Sequence, residues 1–176
     1  MSKEYYQMGW TLDEAYQEDY FCSRDNQRYF IKKNTTPMIA TLSAEGIVPR
    51  LRWTKRISNG DVLIAQDFEH GRTLNTEDMT DKRIPEILRK VHGSSKLKKI
   101  MKAQGYAEET ADRSLCNLKS IIADELRKNS NIVDALNYLE KCLPDDDVEY
   151  TPCHTDLHKD NWLLSDQGKL FLVDWE

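Results

Sequence analysis

The sequence predicts an α+β fold in two parts, and three observations carry that prediction. Up to about residue 75 the chain reads as short strands rich in aromatic and β-branched residues with turn formers between them. From Thr76 the apolar residues recur with the period of helices, and beyond Asn161 the strand pattern returns. The organisation expected is therefore a β-rich part, 1–74, followed by a largely helical part, 75–176, that closes on a hairpin.

The first strands form hairpins. EDYFCSR and RYFIKK flank the turn DNQ, and LRWTKRIS and VLIAQDF flank NGD. TLDEAYQE, residues 11–18, reads as the loop that opens this region. Between the hairpins, Ala40, Leu42, Ala44 and Glu45 suit a short helix that Gly46 and Pro49 would end. In the second part Ile84, Ile87, Leu88 and Val91 fall at i, i+3, i+4 and i+7, with Gly93 placed to stop the helix. A second stripe runs through Ala111, Leu115, Leu118, Ile122 and Leu126. A third runs through Ile132, Ala135, Leu136, Leu139 and Leu143 as far as Pro144, with Asn131 available as its cap. NWLLS and KLFLVDW flank the turn DQG. If Ser165 faces Lys169, counting outward places Asn161 opposite Val173 and Asp160 opposite Asp174.

Composition narrows the function classes. Hydrophobic residues are 39% and charged residues 31%, with seven glycines and five prolines, an ordinary globular mixture. A formal net charge of -5 argues against nucleic acid as the main partner, and Lys96, Lys98, Lys99 and Lys102 read as a solvated helix face. MSKEYYQMGW has no apolar targeting core, and no stretch approaches the ~20 apolar residues of a membrane span, so the expected location is cytoplasmic. The four cysteines, at 22, 116, 142 and 153, form no C-x-x-C pair and read as free buried thiols.

The densest chemistry lies in CHTDLHKDNW, residues 153–162. It admits three readings: a metal-ligand cluster, a phosphoryl-transfer loop or a polar turn. The hairpin register brings an asparagine carbonyl and a carboxylate, Asn161 and Asp174, together as hard oxygen donors suited to Mg²⁺. Asp156, five residues before Asn161, would stand close enough to orient a hydroxyl and accept its proton. The competing hydrolase reading takes His154, Asp156 and His158 as ligands, with only His70 and His92 remaining elsewhere to complete a shell.

HTDLHKDNWLL and LFLVDWE resemble the catalytic loop and metal-binding segment of the aminoglycoside phosphotransferase and choline kinase family, relatives of the protein kinases. The family pattern is H-x-D-L-H-x-x-N followed by a hairpin that ends in an aspartate, an aromatic and an acidic residue, and every one of these positions is filled. The resemblance implies a two-lobed kinase-like fold and transfer of the γ-phosphoryl group of ATP, with Mg²⁺, to a small-molecule hydroxyl. It implies Asp156 as the base, His154 as the brace of the loop, and Asn161 and Asp174 as the Mg²⁺ ligands. Upstream, YFIKKNTTP resembles the strand that supplies the phosphate-anchoring lysine, Lys32, and Glu45 matches the glutamate that pairs with it. QDFEHGRTL resembles the hinge and ILRKVHG the helix after it. Within the family the sequence resembles a bacterial subgroup typified by small phosphotransferase-like proteins of Gram-positive bacteria linked to cell-cycle control.

Two departures qualify the resemblance. Residues 10–45 contain no glycine, and Asp13, Glu14 and Glu18 would set like charge against a triphosphate. Related enzymes continue through several more helices, whereas this sequence stops at Glu176, so the expected helical part is incomplete. Both features favour the alternative of a non-catalytic kinase-like regulator that binds a protein partner.

Overall fold

The computed structural model describes residues 11–16, 19–24, 27–143 and 149–175. In chain order the elements are β1 (Thr11–Tyr16), β2 (Asp19–Arg24), β3 (Gln27–Lys33), α1 (Ile39–Ala44), β4 (Leu51–Arg56), β5 (Val62–Asp67), β6 (Gly71–Thr73), α2 (Arg83–Gly93), α3 (Ser95–Ala103), α4 (Ala111–Ile121), α5 (Ser130–Lys141), β7 (Trp162–Ser165) and β8 (Leu170–Leu172). The mixture is α+β, as the sequence predicts. Two compact units result, Met1–Ala103 with Pro152–Glu176, and Gln104–Thr151. The boundary expected near residue 75 falls inside the first unit, because a single core takes residues from both sides of it: Met38, Leu42 and Ile47 pack with Ile84, Val91, Leu97, Trp162 and Leu172.

The first unit holds an antiparallel sheet in the order β1-β2-β3-β5-β4. Thr11–Tyr16 is the edge strand of that sheet, paired with β2, where the sequence had pointed to a loop; Glu18 lies outside the described residues. Strand periodicity then sorts the side chains of β3 and β5. Ile31, Leu63 and Ala65 join Cys22 in a small cluster on one face. The alternating residues Phe30, Lys32 and Gln66 go to the other face and line a cavity there. This alternation is what aims Lys32 inward.

A second, three-stranded sheet runs β6-β7-β8. Trp162 pairs with Leu172, Leu163 with Phe171 and Leu164 with Leu170. Ser165 N–H donates to Lys169 O at 2.8 Å, and the turn closes through Gly168 at φ 77°. The register counted from the sequence is therefore the register of the hairpin. Gly71 is needed where β6 meets β7, since a Cβ there would run into the Leu164 carbonyl.

In the second unit Thr110 caps α4 by accepting from the Arg113 N–H at 3.1 Å. Asn129, rather than Asn131, caps α5: its side chain accepts from the Asn131 N–H at 3.0 Å. The second stripe ends at Ile121, short of Leu126, which lies in a separate 3₁₀ turn. Helix α3 carries the lysine run on its exposed side and buries Leu97. Of the four thiols Cys22 is buried as expected; Cys116, Cys142 and Cys153 are exposed. Among the described residues no helix is long and apolar enough to cross a membrane.

Candidate active site

His154 organises the loop that precedes β7. It is 8% exposed, and both ring nitrogens are in use. Nδ1 accepts from the Asp156 N–H at 3.2 Å, so Nε2 carries the proton and donates to Val173 O at 3.0 Å. One neutral imidazole thus ties the Asp156 backbone to the strand that leads into Asp174. The Trp175 ring meets His154 edge-on at 4.7 Å, and the Trp175 indole N–H donates to Leu172 O at 2.8 Å. With both nitrogens engaged, His154 has no lone pair left for a metal, which removes the first ligand of the hydrolase reading. Among the described residues no three His, Cys, Asp or Glu side chains gather as a metal cluster.

Asn161 stands at the start of the hairpin, its backbone O accepting from Val173 N at 2.8 Å. Its side-chain Nδ2 donates to Asp156 O at 3.0 Å and to Asp156 Oδ2 at 3.1 Å. The amide is thereby oriented, with Oδ1 left as an oxygen donor. Asp156 itself is exposed. Asp174 sits just past β8 at φ 64°, a left-handed conformation uncommon for a residue with a side chain. Its Oδ1 pairs with Lys32 Nζ at 2.9 Å. Two oxygen donors with room for waters and phosphate oxygens suit Mg²⁺ in number and hardness. Asp160, facing His158 at 3.0 Å and Lys159 at 2.8 Å, has its carboxyl held below the usual range, mainly by the Lys159 hydrogen bond.

Lys32, Asn161 and Asp174 line one cavity of about 510 Å³. Glu45 is not part of it. It lies one residue beyond the end of α1 and accepts from Ser94 Oγ at 3.0 Å, so the expected Lys32–Glu45 pair is replaced by Lys32–Asp174. The hydrogen bond from the Ser94 hydroxyl engages the Glu45 carboxylate, while Asp174 takes Lys32.

The cavity also has residues that sequence reasoning missed. Phe21 meets Phe30 at 5.4 Å between ring centroids and Phe68 at 5.5 Å, and the Arg28 guanidinium lies 4.6 Å from the Phe68 centroid. Leu163, Val48 and Gln66 complete the apolar walls and the back. The aromatic strand residues were visible in the sequence, but their convergence depends on pairings across the sheet.

Solved structures share this fold. The choline kinase LicA from Streptococcus pneumoniae matches with TM-score 0.60 at 22% identity, over 94% of this chain and 61% of that one. Spectinomycin phosphotransferase APH(9)-Ia, solved with ADP and spectinomycin, matches with TM-score 0.61 at 18% identity, over 95% and 62%. Macrolide 2'-phosphotransferase MphH from Brachybacterium faecium matches with TM-score 0.56 at 17% identity, over 98% and 69%. The chain thus spans about three fifths of the first two. The model of the phosphotransferase enzyme family, APH, matches residues 17–176, nearly the whole length and all of the loop and hairpin just described, and the chain belongs to that family.

Proposed function

We propose that this chain binds Mg-ATP in the cavity between β3 and the β7–β8 hairpin and transfers the γ-phosphoryl group to the hydroxyl of a small molecule. The observation that carries this reading is the convergence of Lys32, Asn161 and Asp174 on one cavity, with Asp156 held against Asn161. The solved LicA complex with AMP and APH(9)-Ia complex with ADP support a nucleotide there by likeness of fold.

Lys32 would hold the phosphates, and Asn161 Oδ1 with the Asp174 carboxylate would hold Mg²⁺, which neutralises phosphate charge when bound. Asp156 orients the acceptor. As the acceptor oxygen bonds to the γ-phosphorus, the bond from phosphorus to the β–γ bridging oxygen breaks, ADP leaves, and the hydroxyl proton passes to the Asp156 carboxylate. The likeness to small-molecule kinases favours an acceptor such as choline, an aminoglycoside or a sugar, and the subgroup resemblance would place that chemistry in a cytoplasmic, cell-cycle-linked setting. The glycine-free first hairpin favours one other reading, a regulator that keeps the fold and binds a protein partner without turnover.

The test is ADP release over a panel of hydroxyl compounds. Asp156→Asn should lower turnover by about 10²–10⁴ while leaving nucleotide affinity unchanged. Wild-type turnover in that variant would remove Asp156 from the role.

A further inference from the structure

The three phenylalanines of the cavity follow one another from the phosphate-holding lysine toward the segment after β5. Lys32 Nζ lies 6.0 Å from the Phe30 centroid, Phe30 touches Phe21, and Phe21 touches Phe68. A planar base at this end would find rings to stack on. Behind them is Gln66, directly across from Phe30 in the β3–β5 pairing and 7% exposed.

The Gln66 amide can be oriented from its single partner. Nε2 donates to Pro49 O at 2.8 Å, and a carbonyl can only accept, so the NH₂ end must point there. The other end, Oε1, has no hydrogen-bond partner among the described residues, and Gln66 lines the cavity. A side chain more than nine-tenths buried therefore offers one fixed, unused acceptor to whatever fills the base end of the site. A ligand that excludes solvent from the cavity without donating to Oε1 would leave that acceptor unpaired, at a cost in affinity.

We propose that Gln66 determines base specificity: Oε1 accepts from the exocyclic amino group of a 6-aminopurine, and the site rejects a 6-oxopurine. The inference rests on the nucleotide reading above and names its base. A 6-amino group donates to Oε1. A 6-oxo group sets an acceptor against an acceptor and leaves both unpaired, and a purine with hydrogen at C6 leaves Oε1 alone unpaired. Because Pro49 O keeps the amide from flipping, Gln66 cannot adapt to the oxo form by rotating its NH₂ into the cavity.

The experiment is equilibrium binding of ATP, inosine triphosphate and purine riboside triphosphate, all with Mg²⁺, to the wild-type chain and to Gln66→Leu. Wild type should bind ATP about tenfold or more tightly than either analogue, the factor expected of one buried hydrogen bond. Gln66→Leu should bring ATP to within about twofold of purine riboside triphosphate. Equal wild-type affinity for the three nucleotides would overturn the role of Gln66 and leave nucleotide binding standing. Absence of binding to all three would overturn the nucleotide reading itself. An ATP preference kept by Gln66→Leu would also overturn the proposal; should leucine disturb the fold, Gln66→Met serves in its place, and equal wild-type affinities would overturn it without any variant.

Discussion

Replacing His154 by alanine should loosen the loop before β7 and the segment after β8 together, because one ring holds both. The substitution removes the donation to Val173 O, the acceptance from the Asp156 N–H, and the edge-on contact with Trp175. Each hydrogen bond contributes about 1 kcal/mol net, and the ring pair about 1 kcal/mol, so the loss is about 3 kcal/mol. For a chain of this size that corresponds to a fall of about 6–12 °C in the melting midpoint, read by thermal denaturation followed by circular dichroism. His154→Phe keeps the ring against Trp175 and loses only the hydrogen bonds, so its fall should be about two thirds as large. Phosphoryl transfer should drop by about 10² in either variant, since Asp156 and Asp174 would no longer be fixed in mutual position. A His154→Ala protein that melts with the wild type would refute the reasoning, because the three contacts would then carry no weight.

Lys32→Met should weaken binding of the triphosphate by about tenfold or more, measured calorimetrically, while stability changes by less than about 1 kcal/mol, because the pair with Asp174 is partly exposed. The turn after β4 makes a pH prediction. Asp61 accepts from Asn34 Nδ2 at 2.8 Å and pairs with Lys33 at 2.9 Å, and these partners, Asn34 first, pull its carboxyl down to about 2 from the ordinary 3.8. A depressed folded-state value means the carboxyl stabilises the fold fully above about pH 4, and the contribution disappears as pH falls through 4 toward 2. Asn34→Gly, which tolerates the φ of 51° at that position, should raise the Asp61 value in a carboxyl-carbon NMR titration; an unchanged titration would contradict the assigned cause.

The terminal hairpin was legible because side chains alternate with period two and the DQG turn fixes where counting begins. Those two facts place Asn161 beside Val173 without any tertiary information, and the observed register agrees. Lys32 was legible only through the likeness of YFIKKNTTP to a family strand; that it faces the cavity follows from alternation with Ile31, which packs on the other face. Glu45 was misplaced because its partner Ser94 is 49 residues away, and the sequence alone does not say which contact a glutamate at a helix end will choose. β1 was hidden by its acidic composition, poor in strand formers, and only pairing with β2 makes it a strand. Gln66 looked like any polar residue at the end of a strand. Its burial and its tie to Pro49 come from pairing β3 with β5 across the α1 and β4 segments, which no local pattern records.

The measurement that tests the central claim most directly is a calorimetric titration of the chain with ATP, with and without Mg²⁺, for the wild type and Asp174→Ala. Lys32, Asn161 and Asp174 around one cavity predict saturable binding that tightens with Mg²⁺, and an Asp174→Ala protein that has lost the Mg²⁺ dependence. A folded wild-type chain that binds no ATP, or binds it equally with and without Mg²⁺, would contradict the account.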